Sequence, residues 1–422
     1  MAVTAKQLTA PRLPALPLLA LRRWLPYVGP AFLISVGYID PGNWATDLQG
    51  GSQFGYMLLW VLLGANLVAL LLQHLSAKLG IATGSSYPQV CRERLPRPLT
   101  IGLWVTAEAA AVFTDVAEFL GATLGFHLLF GLDMLPSALL TAVAVFVILG
   151  LYRFGFRAVE FAILTLVAVV GTAYVYEVGL VHPDWAGVAL GTFIPRIGGS
   201  SLFIAMGILG ATVMPHNLYL HSAVVLNRRK KDQQQNRYVI RASFMDTFAA
   251  LNIAWLVNAA ILIVAAGVFF GHGQVIDSIE QAHQTLIPVL GGAAGTVFAL
   301  ALLASGLASS TTATLAGQTI IEGFLKIRFA LVLRRLITVV PAILVIAAGW
   351  DAFRVLVASQ VALSIQLPFA IVPLVWLTSR QQVMGIHVNA RWTTTLAIVV
   401  GAVILALNAL LIVQMGLGGG NA

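Results

Sequence analysis

The sequence predicts an all-α polytopic membrane protein. Eleven transmembrane helices are expected, folded as a 5+5 inverted repeat in which helices 1 and 6 are broken. Three observations predict this. Of 422 residues, 59% are hydrophobic and only 9% are charged, against ~25% charged in soluble domains. The apolar residues gather in runs of the roughly 20 residues that a bilayer crossing needs. Two of those runs carry polar groups and a proline at mid-depth, Asp40-Pro41-Gly42-Asn43 and Met214-Pro215-His216-Asn217, in a matching x-Pro-x-Asn frame. In hydrocarbon, a freed backbone N–H or C=O costs several kcal/mol unless the protein satisfies it again. A carboxylate at that depth by default marks a functional site. Paired interruptions at corresponding places in two halves point to a transporter's substrate site near the bilayer midplane.

The elements follow in order. Residues 1–24 are a cytoplasmic tail. Within it, 13–21 is faintly like a signal-peptide core, but it holds two prolines and runs into Arg22-Arg23 with no small-residue cleavage site, so a retained tail is expected. The first half, 25–182, contains spans at 25–49 (broken), 54–79, 99–129, 133–152 and 156–181. The second half, 199–380, contains 200–226 (broken), 242–271, 289–323, 331–350 and 353–379. A further helix at 392–415 lies outside the repeat. The third and eighth spans exceed the bilayer thickness and must tilt or project. The whole chain is one transmembrane domain, since no stretch outside the spans is large enough to fold separately.

Charge sets the orientation. A net charge of +8 raises nucleic-acid binding as a class, but the basic residues sit in short loops between spans. That placement reads as topology and contact with anionic lipid, and no nucleic-acid partner is expected. With the N-terminus inside, all of the 24 Lys and Arg residues except Arg196 and Arg354 fall on cytoplasmic segments. One missed span would scramble that bias. The C-terminus then lies outside, in a multi-pass protein of the cytoplasmic membrane. Five spans per half is an odd number, so the second half enters the membrane in the opposite sense. The single cysteine, Cys91, rules out an internal disulfide or a cysteine metal cluster.

The polar residues inside spans carry the chemistry. Asp40 stands among Gly37, Pro41 and Gly42, which favour unwinding and expose carbonyls, and Asn43 adds a neutral oxygen. Asp40 as a mere cap of the second half-helix is the plainer reading, and capping and ligation can coexist. Met214 occupies the matching place in span 6, three residues after Ala211. Its thioether suits first-row transition metals and is poor for Mg²⁺ or Ca²⁺; elsewhere a methionine in a span is usually a gap-filler. His216 and His221 on the same half-helix suit a proton or gating role better than tight metal binding, or else pack as hydrogen-bonded histidines. Glu108, Asp115 and Glu118 in span 3 are too costly for a lipid-facing helix and should line a polar interior route, with Arg334 and Arg335 of span 9 as partners. The alternative is a static salt-bridge network. Ser359 and Gln360 in span 10 offer either a further metal ligand or an interhelical hydrogen bond. The run Ser305 to Thr314 reads as close helix packing, Gly121-x-x-x-Gly125 is a weak signal, and His74 has no assignable role.

The two broken-span stretches resemble the signatures of the Nramp family, the natural resistance-associated macrophage proteins: Asp-Pro-Gly-Asn at 40–43 and Gly-Ala-Thr-Val-Met-Pro-His-Asn-Leu-Tyr-Leu-His at 210–221. The resemblance extends through Thr114 to Gly121 and Ser359-Gln360 and covers nearly the whole chain. It implies a LeuT-like fold and symport of Mn²⁺ or Fe²⁺ with protons. It further implies Asp40, Asn43 and Met214 as side-chain ligands, the carbonyls of Gly37 and Ala211 as backbone ligands, and Gln360 as a ligand in some states. Asp115, Glu118, His216, Arg334 and Arg335 match its proton pathway. Relatives that move Mg²⁺ or trivalent aluminium depart at the Asp or Met of these motifs, and this sequence departs at neither. Gly37 stands where a small residue, often alanine, is expected; only its carbonyl is needed. No cofactor is implied, and a monomer is expected.

Three other classes are weighed. A sodium-coupled organic-solute symporter of the same fold would present an unwound helix terminus to an organic carboxylate. An intramembrane enzyme is disfavoured, since the chain lacks His-Glu-x-x-His and Gly-x-Ser-x-Gly. A channel would show neither saturation nor proton coupling.

Overall fold

The computed structural model describes residues 29–151, 156–198, 201–328 and 330–416. The expected N-terminal tail, the signal-like stretch 13–21 and residues 25–28 of the first span lie outside the described residues. Described residues form α-helices joined by short turns, with no strand among them. In chain order the helices are α1 (Pro30–Gly37), α2 (Pro41–Phe54), α3 (Leu59–Thr83), α4 (Tyr87–Arg94), α5 (Arg97–Phe130), α6 (Met134–Gly150), α7 (Phe156–Val181), α8 (Trp185–Phe193), α9 (Leu202–Val213), α10 (Pro215–Val224), α11 (Gln233–Val268), α12 (Ile279–Leu290), α13 (Gly292–Leu325), α14 (Leu331–Ala347), α15 (Ala352–Thr378), α16 (Gln381–Met384) and α17 (Arg391–Gly416). Each expected span coincides with one of these helices, or with the pairs α1–α2 and α9–α10. Among the described residues, seven helical stretches are long and apolar enough to cross a membrane on their own.

Helix starts differ from the apolar limits where polar capping takes over. α11 begins well before the expected 242, because the Asp232 carboxylate accepts the Gln234 N–H at 2.8 Å and starts a helix in the polar loop. Such a cap satisfies one of the donors that every helix start leaves open. The short helices α4, α8 and α12 lie where the sequence reading placed only loops. Gln89 Oε1 accepts the Ser86 N–H at 2.8 Å before α4, and Ser278 Oγ accepts the Gln281 N–H at 3.0 Å before α12.

Both breaks lie where the prolines require them. Asp40 is extended (φ −72°, ψ 163°) and caps α2, whose first residue is Pro41. Met214 alone separates α9 from α10, at φ 46°. A left-handed conformation costs a non-glycine residue roughly 1–2 kcal/mol, so the surrounding packing must hold it.

Four carbonyls freed by the breaks find partners from other helices. Tyr38 O accepts from Asn258 Nδ2 of α11 at 2.6 Å, and Ile39 O accepts from Ser305 Oγ of α13. Val213 O accepts from the Tyr38 hydroxyl at 3.4 Å, and Ala211 O from Asn43 Nδ2 at 3.2 Å. The backbone is irregular only where protein buries it, as a bilayer requires.

Small residues bring the helices around the breaks close together. A Cβ on Gly121 of α5 would fall 2.0 Å from Pro41 Cβ, and one on Gly125 would fall 2.7 Å from Leu303 Cα of α13. The weak Gly-x-x-x-Gly signal is thus a line of close helix approach.

Candidate functional site

The two broken helices meet at their breaks. The Asp40 carboxylate accepts the Asn43 N–H at 2.8 Å and Asn43 Nδ2 at 2.7 Å, both through Oδ1. Its Oδ2 is buried with no hydrogen-bond partner. Capping and an available anionic oxygen therefore coexist in one side chain. Asn43 Nδ2 also reaches Ala211 O, so one amide joins both breaks. Its electropositive NH₂ edge lies between an anionic oxygen and a carbonyl oxygen, the kind of place a cation favours. Asn43 Oδ1 turns the other way, to Asn258 Nδ2 at 3.4 Å.

Gly37 lies beside Met214: a Cβ added to Gly37 would sit 3.1 Å from Met214 Sδ and 2.5 Å from Asn217 Nδ2. Asn217 Nδ2 in turn donates to Met214 Sδ at 3.3 Å and holds the thioether in place. Glycine at 37 is thus what lets the thioether and Asn217 approach the end of α1. Gln360 of α15 packs on Gly42, where a Cβ would fall 1.8 Å from its Nε2; its Oε1 is buried and unpartnered. Asp40, Asn43, Met214, Ala211 and Gln360 are all closed to solvent.

Among the described residues, no three His, Cys, Asp or Glu side chains gather as a metal cluster. The breaks thus bring one carboxylate, one thioether and neutral oxygens together, a donor set that could hold a cation.

The expected proton-pathway residues separate into two groups. Arg335 pairs with Asp115 at 2.7 Å, both side chains 0% exposed, and also reaches Ser310 Oγ. Arg334 pairs with Glu108 at 2.9 Å. Glu118 makes no direct ion pair; it lies within electrostatic reach of Asp115, Asp40 and Arg335, next to Ser309. His216 Nδ1 meets Thr114 Oγ1 at 3.2 Å, beside Asp115. His221 faces elsewhere: its Nδ1 meets Gln73 Oε1 at 2.9 Å, and Gln73 Nε2 donates to the Tyr38 hydroxyl at 2.9 Å. His74 packs edge-on to Phe244 with ring centroids 5.1 Å apart, away from the breaks.

Two residues escape a reading of the sequence. Asn258 serves the first break, and an asparagine inside the apolar run 242–271 is the available signal for it; Ser305, expected only to pack, also serves that break through its hydroxyl. Asp47 also escaped notice. It is buried with neither carboxylate oxygen partnered, seven residues after Asp40 and on the same face of α2.

A sequence model of the family described as natural resistance-associated macrophage protein-like matches residues 31–414. The divalent metal cation transporter MntH of Caldanaerobacter subterraneus subsp. tengcongensis is 47% identical over 394 residues, covering 93% of this chain and 94% of its own. MntH of Bacillus subtilis is 44% identical over 395 residues, covering 93% of both. Among solved structures, the manganese transporter of Eremococcus coleocola superposes with a TM-score of 0.86 at 36% identity, over 99% of this chain and 91% of that one. Mhp1, a nucleobase-cation-symport-1 family transporter in a closed conformation, superposes with a TM-score of 0.60 at 15% identity over 92% of both chains, a likeness of fold.

Proposed function

Because the chain belongs to the natural resistance-associated macrophage protein (Nramp) family, we propose that it imports Mn²⁺ and Fe²⁺ across the cytoplasmic membrane together with protons, by alternating access around the paired breaks. The observation that carries this reading is the meeting of Asp40, Asn43, Ala211, Gly37 and Met214 at two facing helix breaks. Asp40 supplies the one negative charge through its open Oδ2. Asn43, the carbonyls of Gly37 and Ala211, and Gln360 in some states supply neutral oxygens. Met214 supplies the soft donor that favours transition metals over Mg²⁺ and Ca²⁺. A ligating carboxylate must be deprotonated, so metal arrival displaces a proton from Asp40. His216 beside Thr114, then Asp115 and Glu118, offer that proton a route apart from the metal's. The arginine pairs bias this route. His221, linked to the first break through Gln73 and Tyr38, belongs to gating.

The topology proposed with it has eleven crossings, the N-terminus inside and the C-terminus outside. The halves 25–182 and 199–380 rock around the breaks, and the chain acts as a monomer. A sodium-coupled organic-solute symporter is disfavoured by the family.

Mn²⁺ uptake into proteoliposomes carrying an internal pH dye tests the reading. Saturable uptake with internal acidification and no sodium requirement is expected. Uptake without proton movement, or with a sodium requirement, would overturn it.

A further inference from the structure

On the expected outer side of the breaks lies a second set of buried acids that the mechanism above does not use. Asp47 continues the Asp40 face of α2 outward. Glu177 and Tyr174 share a face of α7, three residues apart. All three side chains are closed to solvent, with Glu177 1% and Tyr174 2% exposed. Neither carboxylate and not the phenol hydroxyl has a hydrogen-bond partner. The Tyr174 hydroxyl interacts electrostatically with both Glu177 and Asp47. Its ring is held edge-on against Trp44 of α2, with centroids 5.0 Å apart.

The contrast with α5 decides what this set does. Asp115 and Glu108 each have an arginine. Asp47, Tyr174 and Glu177 have none: Asp47 faces Asp40, Tyr174 faces Glu177 and Asp47, and His283 of α12 stands behind Phe298, which packs on Trp44. A desolvated carboxylate without a basic partner needs a positive counter-ion, a proton or a metal. Two acids and a phenol are too few donors for a metal cage, and among the described residues no three-acid or histidine cluster forms one. A proton fits.

We propose that Glu177 is a proton-loading group on the outer side of the metal site, and that the Tyr174 hydroxyl relays its proton to Asp47. The three groups are not hydrogen-bonded to one another here, so the hop follows when outward opening admits water between them: the Glu177 carboxyl O–H gives its proton through that water to the Tyr174 oxygen while the Tyr174 O–H proton passes to the Asp47 carboxylate. Glu177 is left anionic and is reloaded from the outer solution. Asp47 and Asp40 are separated by about 10 Å along the chain of α2, too far for a direct hydrogen bond. Hand-over to Asp40 therefore waits for the outward-open state. Protons and metal thus start from different groups and converge on Asp40.

The inference rests on the proton-coupled reading, and one set of measurements separates the two. The full-length chain in proteoliposomes is assayed for Mn²⁺ uptake against external pH, with an internal pH dye, and for Mn²⁺ binding in detergent by calorimetry. Wild type should take up Mn²⁺ faster as external pH falls. Glu177→Gln should lose that acid stimulation and keep Mn²⁺ binding, and Glu177→Asp should restore it. Tyr174→Phe, which keeps the ring against Trp44 and removes only the hydroxyl, should weaken the stimulation even if Glu177→Gln fails to fold. A wild-type pH profile in either Glu177→Gln or Tyr174→Phe overturns the relay, as does loss of Mn²⁺ binding with proton coupling intact. If wild type itself moves no protons with Mn²⁺, the proton-coupled reading fails instead.

Discussion

The Asp115–Arg335 pair offers the sharpest test of how the interior network is held. Its N–O distance is 2.7 Å and neither side chain is exposed. Asp115→Asn keeps the shape and removes the charge, leaving a buried guanidinium. Losing one partner of a buried pair costs roughly 3–5 kcal/mol. Two contacts remain to Arg335: Ser310 Oγ, and the Phe119 ring with its centroid 5.8 Å away. A cation over an aromatic face recovers about 0.5–2 kcal/mol, so the expected loss sits at the low end, about 3 kcal/mol. Arg335→Gln leaves the anion with the Thr338 side chain and the charge of Arg334 and should cost a similar amount. The double variant removes both charges and should be more stable than either single one. Chemical unfolding in detergent of all four proteins closes the cycle. An Asp115→Asn loss of under ~1 kcal/mol, the range of exposed pairs, would refute the claim that this pair is desolvated and coupled. The parallel Glu108–Arg334 pair, with Glu108 22% exposed, should lose less on Glu108→Gln. In transport, Asp115→Asn should lower the protons moved per Mn²⁺ while Mn²⁺ binding persists; an unchanged ratio would make the pair scaffold.

Asp40→Ala should abolish Mn²⁺ uptake, measured with radioactive Mn²⁺ in proteoliposomes, because it removes the unpartnered carboxylate oxygen at the breaks. Met214→Ala should retain part of the Mn²⁺ uptake and lose rejection of Ca²⁺ and Mg²⁺, since water can replace sulfur for a hard ion; unchanged Ca²⁺ exclusion in a folded variant would rule out the thioether as filter. Gly121→Ala should destabilise by about 1–3 kcal/mol through overpacking, because its Cβ meets the rigid Pro41 ring at 2.0 Å. Gly102→Ala in the same helix, with nothing within 4 Å, is the control and should be neutral or stabilising in the same thermal assay. Cysteines placed at Gln235 and Gly420 after Cys91→Ser should label from opposite sides of the membrane; labelling from one side refutes the eleven-crossing topology.

The sequence alone determined where the long apolar helices lie and where two of them break, because bilayer physics writes both into composition. A span is an apolar run of fixed length, and a proline beside polar groups inside such a run has no cheap explanation. For the same reason Asp40, Asn43 and Met214 stood out, and three acids in one helix implied cationic partners before any contact was known. Only the tertiary structure decided the pairings. Arg335 rather than Arg334 takes Asp115, and His216 joins α5 while His221 joins α3 through Gln73. Asn258 and Ser305 satisfy carbonyls more than two hundred residues away in the chain. An asparagine in an apolar run signals a polar partner but not which one, since one buried asparagine or serine reads like another until a freed carbonyl faces it. The short helices α4, α8 and α12 escaped because capping, not hydrophobic length, starts them. Asp47 and Glu177 escaped because neither stands beside a break or has a second acid three residues away, and only the contact of the Trp44 and Tyr174 rings brings their helices together. Periodicity and hydrophobic length are properties of one segment, whereas the match of a donor to an acceptor across the bundle belongs to the fold.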